Sequence, residues 1–171
     1  MKKLSILSLA LVFVLSLLTF GCGNGSTEID YNKFTIAGKT YELSEGEMSF
    51  YGNYYSINSN NVDLWLGGTD AEIFIEMFVA TSANRLVAGT YNMADNYSPL
   101  TFHAGGAFID GEYEYYYITG GTVKIAISGT GDDAIYTITI DCTIEDEDEN
   151  AAGTIKGTYR GTLEWFDESM L

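Results

Sequence analysis

The chain contains the stretch YTITIDCTI at residues 136–144, in which apolar and polar side chains alternate without a break. The apolar positions are Tyr136, Ile138, Ile140, Cys142 and Ile144. Successive side chains of a β-strand point to opposite faces, so this period of two predicts a strand with one buried and one solvated face. Cys142 lies on the apolar face, and we expect it to be a small buried side chain.

The same period of two recurs on both sides of this stretch. The windows that show it are residues 34–43, 62–66, 72–79, 123–128 and 155–165. No window has a convincing apolar stripe at helical spacing, and the 19 glycines of the chain are typical of turns between strands. We therefore expect an all-β fold, an antiparallel sandwich or flattened barrel of about nine to eleven strands. It should form a single domain over residues 33–171.

Two glycines interrupt the apolar face of the last window. Gly157 and Gly161 fall between Ile155, Tyr159 and Leu163, where a side chain would point inward. Glycine at such positions indicates a bend or a close approach of another backbone.

The first 22 residues have the order of an export signal. Lys2 and Lys3 precede an apolar run at residues 4–20, and Cys22 follows Gly21. A cysteine at this point resembles a bacterial lipoprotein signal, which implies cleavage after residue 21 and a lipid on the Cys22 thiol. The alternative is a transmembrane anchor, for which the run is short, and no basic cluster follows it.

This interpretation divides the chain into a signal peptide at residues 1–21, a flexible tether at 22–32 and the β-domain. Thr19 stands where lipoprotein signals usually have leucine, a relaxed form that resembles those of Bacteroidetes. Gly23 follows the cysteine, and the resemblance then implies the outer rather than the inner membrane. The lipid would anchor the domain there, facing either the periplasm or the cell surface.

The net charge of the chain limits the classes of partner that it can bind. Removing the signal leaves 6 basic residues against 24 acidic ones, a formal charge of −18. A chain so negative repels nucleic acid and anionic lipid headgroups, and we expect no nucleic-acid partner. Neutral and cationic ligands stay compatible with it. Once Cys22 is lipidated only Cys142 remains, so no disulfide is expected and the core must hold by burial alone.

Several predicted strands begin with a similar Gly-Thr or Gly-Lys-Thr sequence. The segments that contain it are FTIAGKTYEL (34–43), LVAGTY (86–91), GTVKIAIS (121–128) and GTIKGTYRGTLEW (153–165), and the strand YTITID (136–141) lies between the last two. Together with the export signal, they resemble small lipoproteins of gut Bacteroidetes, some of which have lipocalin-like or sandwich β-domains. The resemblance implies a fold and a location and carries no catalytic residues.

Residues suited to catalysis are sparse. His103 is the only histidine, which excludes a zinc site built on several histidines, and no Gly-x-Ser-x-Gly turn is present. The alternation around His103 predicts an exposed strand residue. We expect no enzyme activity, no metal site and no cofactor.

The densest charge is the acidic run at residues 145–150. Asp146, Asp148 and Asn150 have the spacing that opens a calcium loop, but Ala151 and Gly157 stand where that loop needs glycine and glutamate. Because the run separates two predicted strands, we interpret it as a solvated hairpin tip, with weak calcium binding as the alternative.

Aromatic residues point to a function. Tyr113, Tyr115 and Tyr117 share one face of a predicted strand, and Trp65 lies on the polar face of another. Exposed rings beside acids suit stacking on sugars, since a ring offers apolar area and tyrosine adds a polar tip. We predict a membrane-anchored binding module that holds a glycan or small apolar ligand on these four residues. For the tyrosines, the alternative is that they only fill strand positions and bind nothing. For the protein, the alternative function is a structural or adhesion subunit of the cell surface or of a fimbria-like assembly. The oligomeric state stays open.

Overall fold

The computed structural model describes residues 29–110 and 114–170. These residues form one curled, eleven-stranded sheet in the shape of a half-barrel, without an α-helix among them. The strands are β1 (Lys33–Ile36), β2 (Lys39–Glu42), β3 (Glu45–Gly52), β4 (Ser59–Gly67), β5 (Ala71–Ala80), β6 (Gly89–Met93), β7 (Thr101–Ile109), β8 (Glu114–Ser128), β9 (Ile135–Glu145), β10 (Ala151–Gly161) and β11 (Glu164–Asp167). The all-β fold that the alternation predicts is confirmed.

The strands follow the order β11-β3-β4-β5-β7-β6-β8-β9-β10-β1-β2 across the sheet. Most neighbours are antiparallel, whereas β11 with β3 and β6 with β7 run parallel. The long strand β8 has two neighbours on one side, since residues 114–117 pair with β7 and residues 122–125 pair with β6. β6 therefore fills the space that opens where β7 and β8 diverge.

The curl brings the two ends of the sheet together. Two residues, Leu43 and Ser44, connect β2 at one edge to β3 beside the other edge. A Cβ on Gly46 of β3 would lie 2.9 Å from the hydroxyl oxygen of Tyr159 on β10. Strands from opposite ends of the sheet thus pack against each other.

The inner face of the curl holds the core. All five apolar positions of residues 136–144 are buried, which confirms the predicted strand and the buried state of Cys142. Residues such as Leu64 of β4 and Ile75 of β5 join them in one hydrophobic cluster. Each fully buried aliphatic side chain contributes roughly 1.5–3 kcal/mol to folding. Because side chains fill this interior, the outer face of the sheet is the place to look for a ligand site.

Gly157 has the close packing that its position predicts. A Cβ there would lie 2.5 Å from both the Lys33 carbonyl oxygen and the Cδ1 atom of Phe34. Phe34 is fully buried on β1, directly opposite Gly157. The Phe34 ring therefore occupies the space that a side chain at position 157 of β10 would need.

The acidic run forms the predicted hairpin tip between β9 and β10. The Asp146 carboxylate accepts hydrogen bonds from the backbone N–H groups of Asp148 and Asn150 at 3.0 and 2.8 Å. These bonds, chiefly the one from Asn150, lower the pKa of Asp146. In residues 29–110 and 114–170, no group of three or more His, Cys, Asp or Glu side chains is placed to hold a metal ion.

The expectation of an exposed His103 is wrong. The pairing of β5 with β7 contains a bulge at Glu76 and Met77, where the partner changes from Ala104 to Phe102. His103 lies in that bulge, half-buried, with its ring edge against Tyr97 at a centroid distance of 4.9 Å. Phe102 is buried and His103 lies beside it on the other face, as the alternation predicts, but the ring of Tyr97 from the loop before β7 covers His103, and local periodicity does not show such a contact.

Asn32, the last residue of the predicted tether, forms hydrogen bonds with the backbone of β10. Its side-chain oxygen accepts the Arg160 backbone N–H at 2.7 Å, and its own N–H donates to the Thr158 carbonyl oxygen at 2.7 Å. The predicted signal peptide and Cys22 lie outside the described residues. The described part of the chain has no helix with the length and hydrophobicity of a membrane span.

Candidate functional site

Strand register places aromatic residues from separate strands in one row on the outer face of the sheet. Trp65 of β4 pairs with Phe74 of β5, Phe74 pairs with Gly106 of β7, and Gly106 pairs with Tyr117 of β8. Neighbouring strands lie about 4.8 Å apart, so the row spans about 14 Å. The next row brings Phe108 opposite Tyr115.

These residues form a continuous set that we call the aromatic patch. Its members are Trp65, Phe74, Phe108, Tyr115 and Tyr117. Trp65 is 40% and Tyr117 is 50% exposed, while their neighbours along each strand are buried or packed on the core. The Trp65 and Phe74 ring centroids lie 4.5 Å apart, and those of Tyr115 and Tyr117 lie 4.7 Å apart. The patch thus presents two ring pairs to solvent.

Gly106 is the position that lets Tyr115 join the patch. A Cβ on Gly106 would lie 2.5 Å from the Tyr115 hydroxyl oxygen and 2.4 Å from the Tyr116 carbonyl oxygen. The Tyr115 ring therefore lies across β7, over the glycine that separates Phe74 from Tyr117 in the row. A side chain at position 106 would push the ring away.

Carboxylates stand at both ends of the row. Glu47 of β3 pairs with Trp65, and Glu145 of β9 pairs with Tyr117. Glu47 is exposed and Glu145 is half-buried. Acceptors beside a ring surface are what a ligand rich in hydroxyl groups needs, because its donors bond to the carboxylates while its apolar face stacks on the rings.

The structure brings together three of the four residues that the sequence singles out for the ligand site. Trp65, Tyr115 and Tyr117 share the outer face, although β4 and β8 are not neighbours in the sheet. Tyr113 lies outside the described residues. Tyr116, on the opposite face of β8, packs against the core, so the tyrosines of this strand divide between core and surface.

A second feature, which we call the acid–tyrosine cleft, adjoins the patch through Phe74. It has a volume of about 530 Å³. Its lining includes Tyr51, Tyr54, Tyr55, Asp63, Phe74 and Glu76. Asp63 of β4 pairs directly with Glu76 of β5, and each residue is only 9% exposed. Two carboxylates are thus nearly buried side by side on the outer face.

Each of these carboxylates has a hydrogen-bonding neighbour. The Asn61 side-chain amide donates to Asp63 at 2.9 Å, and the Tyr55 hydroxyl donates to Glu76. The bond to Glu76 raises the pKa of Tyr55 to about 12. Burial, reinforced by the charge of Glu76, raises the pKa of Asp63 to about 7, although the bond from Asn61 opposes this shift. Asp63 therefore titrates near neutral pH.

A cluster of rings holds the loop residue Tyr55 over this end of the outer face. Tyr55 stacks on Tyr97 at 5.5 Å, and Phe78 lies beneath both, 6.1 Å from Tyr55 and 5.1 Å from Tyr97. The Ser59 hydroxyl donates to the Tyr97 carbonyl oxygen. Phe78 is fully buried yet lies outside the main core cluster. The loops before β4 and β7 thus cover it and shape one side of the cleft.

Sequence reasoning missed Phe74, Phe108, Asp63 and Glu76 as site residues. One signal was available in β5, where Phe74 and Phe78 place large rings on the face that also carries glutamates. A strand with apolar residues on both faces indicates that each face is covered or used. The pairing of Asp63 with Glu76 could not be read from the sequence, because it depends on the register between two strands.

Comparisons of this chain with models of protein families, with curated proteins and with solved structures found no match. Its function therefore has to be inferred from the chemistry of the site itself.

Proposed function

We propose that this protein is a lipid-anchored module of the cell envelope that binds a glycan, or a small ligand with a flat apolar face, on the aromatic patch. The observation that supports it best is the row from Trp65 through Phe74 and Gly106 to Tyr117. Large rings left in water are costly unless a partner covers them, and adjoining exposed rings mark binding surfaces. Carboxylates at both ends supply hydrogen-bond acceptors for hydroxyl groups.

The filled interior favours the outer face over a barrel mouth as the place of binding. Core side chains of strands from both ends of the sheet occupy the inside of the curl. The aromatic patch, in contrast, is open to solvent and spans about 14 Å across four strands, the length of more than one sugar ring. An extended chain of sugars suits such a surface better than a compact enclosed ligand does.

The sheet edges weigh against assembly by strand addition, the mechanism that a fimbria-like subunit would need. The edge strands β2 and β11 have only 4 residues each. β2 also carries the charged residues Lys39 and Glu42. Short, charged edge strands discourage pairing with another chain. We therefore favour the binding module over the structural subunit.

A glycan array tests this proposal. The probe protein is the segment 27–171, which contains every described strand and the whole core cluster. Any hit is then titrated by tryptophan fluorescence in a Trp165→Phe background, which leaves Trp65 as the single tryptophan of the chain. Saturable quenching of Trp65 supports the proposal. An array without hits, from a sample whose circular dichroism shows a folded β-protein, would contradict it.

A further inference from the structure

The acid–tyrosine cleft has a chemistry that the proposed glycan site does not use. Asp63 and Glu76 are nine-tenths buried, face each other directly and open onto a volume of about 530 Å³. A neutral sugar offers hydroxyl groups to such a pair but no charge to balance it. The cleft therefore points to a ligand of a different kind, whether or not the aromatic patch binds a glycan.

Neither carboxylate belongs to an ion pair that joins two residues of the part of the chain that the structure describes. In the part of the chain that the structure describes, the acidic members of the ion pairs are Asp30, Asp132 and Asp141. All three are exposed. Burying a carboxylate away from opposite charge is unfavourable, even after the protein relaxes around it. A cation brought by a ligand would remove this cost.

The groups around the pair are neutral or acidic. Asn61 contacts Asp63 on β4, Tyr51 faces the cleft from β3, and Tyr55 bonds to Glu76 from the loop before β4. Glu168, which follows β11, adds a further acid to the lining. Every charge that these elements bring to the cleft is thus negative.

The lining suits an organic cation better than a metal ion. Calcium takes about six to eight oxygen ligands, and within residues 29–110 and 114–170 no set of three or more ligating side chains converges here. Aromatic rings attract an ammonium group through the negative charge of their faces. The rings of Tyr54 and Tyr55 meet edge to face at 4.9 Å beside the carboxylates. Carboxylate and ring together form the combination that recognises ammonium.

We propose that the acid–tyrosine cleft binds a small organic cation, with its ammonium group between Asp63 and Glu76 and against the ring of Tyr55. The volume of the cleft, about 530 Å³, is in the range of small-molecule sites. Phe74 belongs to the cleft and also packs against the Trp65 ring, at an angle of 42° between the ring planes. A ligand that carries both an ammonium group and a flat apolar face can therefore reach the aromatic patch as well.

Binding is expected to tighten as pH rises through neutrality. Burial raises the pKa of Asp63 to about 7, so an arriving cation displaces the proton that Asp63 holds at lower pH. Burial also raises the pKa of Tyr51, and the bond to Glu76 raises that of Tyr55 to about 12, so both phenols stay neutral. If ionised Asp63 is required, affinity grows about tenfold between roughly pH 6 and 8.

Calorimetric titration of the full chain in a non-ionic detergent tests the inference. The two ligands are choline and 3,3-dimethyl-1-butanol, which is the neutral isostere of choline with carbon in place of the ammonium nitrogen. We expect choline to bind and the isostere to bind at least about tenfold more weakly. Equal affinity for the two, or no binding of choline at pH 8, would overturn the inference. Displacement of bound choline by calcium at equal concentration would also overturn it, since the site would then be a metal site.

Two isosteric variants locate the site, and a third serves as a control. Asp63→Asn and Glu76→Gln should each weaken choline binding by about tenfold or more, and Asp63→Asn should also abolish its dependence on pH. Asp141→Asn removes an exposed carboxylate on β9 and should change nothing. Unchanged choline affinity in Asp63→Asn would contradict the inference. Loss of glycan binding in Tyr117→Ala, with choline binding intact, would separate this cleft from the aromatic patch.

Discussion

Asp63 lies directly opposite Glu76 in the antiparallel pair of β4 and β5, and each residue is 9% exposed. Like charges that face each other on neighbouring strands destabilise a sheet. The pairing of Asp63 with Glu76 thus lowers the stability of the sheet, and it does so beside a cleft and next to exposed aromatic rings. Such local costs are typical of functional sites, because a site optimised for a ligand is seldom optimised for folding.

The free energy of unfolding is expected to fall as pH rises from about 4 to about 7. The pKa of Asp63 is raised from 3.8 to about 7 by burial. Across that range the folded state keeps a proton that the unfolded state has lost, so stability present at lower pH disappears as pH passes the folded-state pKa. One such group gives a slope of up to about 1.4 kcal/mol per pH unit. Urea denaturation at a series of pH values measures this slope.

Asp63→Asn is the control for this slope. The amide keeps the shape of the side chain and an acceptor for Asn61, so the slope should flatten and stability above neutral pH should increase. Asp146 and Asp167 do not interfere, because hydrogen bonds from Asn150 and Ser169 lower their pKa values from 3.8 and their contributions are lost only in more acidic solution. An identical slope in the wild type and the variant would contradict the assignment.

Ile140→Ala should lower the free energy of unfolding by about 2–5 kcal/mol. Ile140 is buried at the centre of β9, so truncation loses apolar burial and leaves a cavity. The matched control is Ile57→Ala, since Ile57 is 83% exposed in the loop before β4. That change should stay within about 0.5 kcal/mol. Chemical denaturation of both variants measures their free energies of unfolding. A similar loss of stability in the two variants would show that the core is misassigned.

Gly157→Ala should destabilise the fold by about 1–3 kcal/mol, because the new methyl group meets the Lys33 backbone and the Phe34 ring. Gly67 provides the comparison, since a Cβ there has nothing within 4 Å. Gly67→Ala should be neutral or slightly stabilising, because alanine loses less backbone entropy on folding. Thermal unfolding of both proteins measures the difference. A Gly157→Ala protein as stable as the wild type would refute the close packing of β1 on β10.

Metabolic labelling with an alkynyl fatty acid should mark the wild-type chain expressed in a bacterium. Cys22→Ala should abolish the label, because the predicted acceptor is the Cys22 thiol. Cys142→Ala should leave the label intact, since Cys142 is buried in the core and burial raises its thiol pKa to about 11. A label that survives in Cys22→Ala would exclude the predicted lipid attachment.

The sequence predicts those features of the fold that depend on residues close together in the chain. The alternation of residues 136–144 predicts β9 and its buried face, because the period of two follows from the geometry of a single strand. The alternation did not predict the half-burial of His103, because the ring that covers it, Tyr97, comes from a loop. Gly157 was also interpretable, because a glycine on an apolar face indicates close packing at that point.

The site was predicted only in part, because it depends on which strands pair. Trp65 and Tyr117 are recognisable as unusual rings on polar faces, but the sequence gives no reason to place them in one row. That row requires β5 to pair with β7, and it requires the register that sets Phe74 opposite Gly106. Glu76 in turn lies opposite Asp63 only through the register of β4 with β5. Long-range register is a property of the whole sheet.

The most direct test of the account is a titration of the strongest glycan hit against Trp65→Ala, Tyr117→Ala and Tyr31→Ala. Trp65 and Tyr117 end the aromatic row, so loss of either ring should weaken binding by about tenfold or more. Tyr31 is an exposed ring before β1, beside Arg160 and away from the row in the sheet order, and its loss should leave affinity unchanged. Equal affinity in all three variants and the wild type would contradict a ligand site on the aromatic patch.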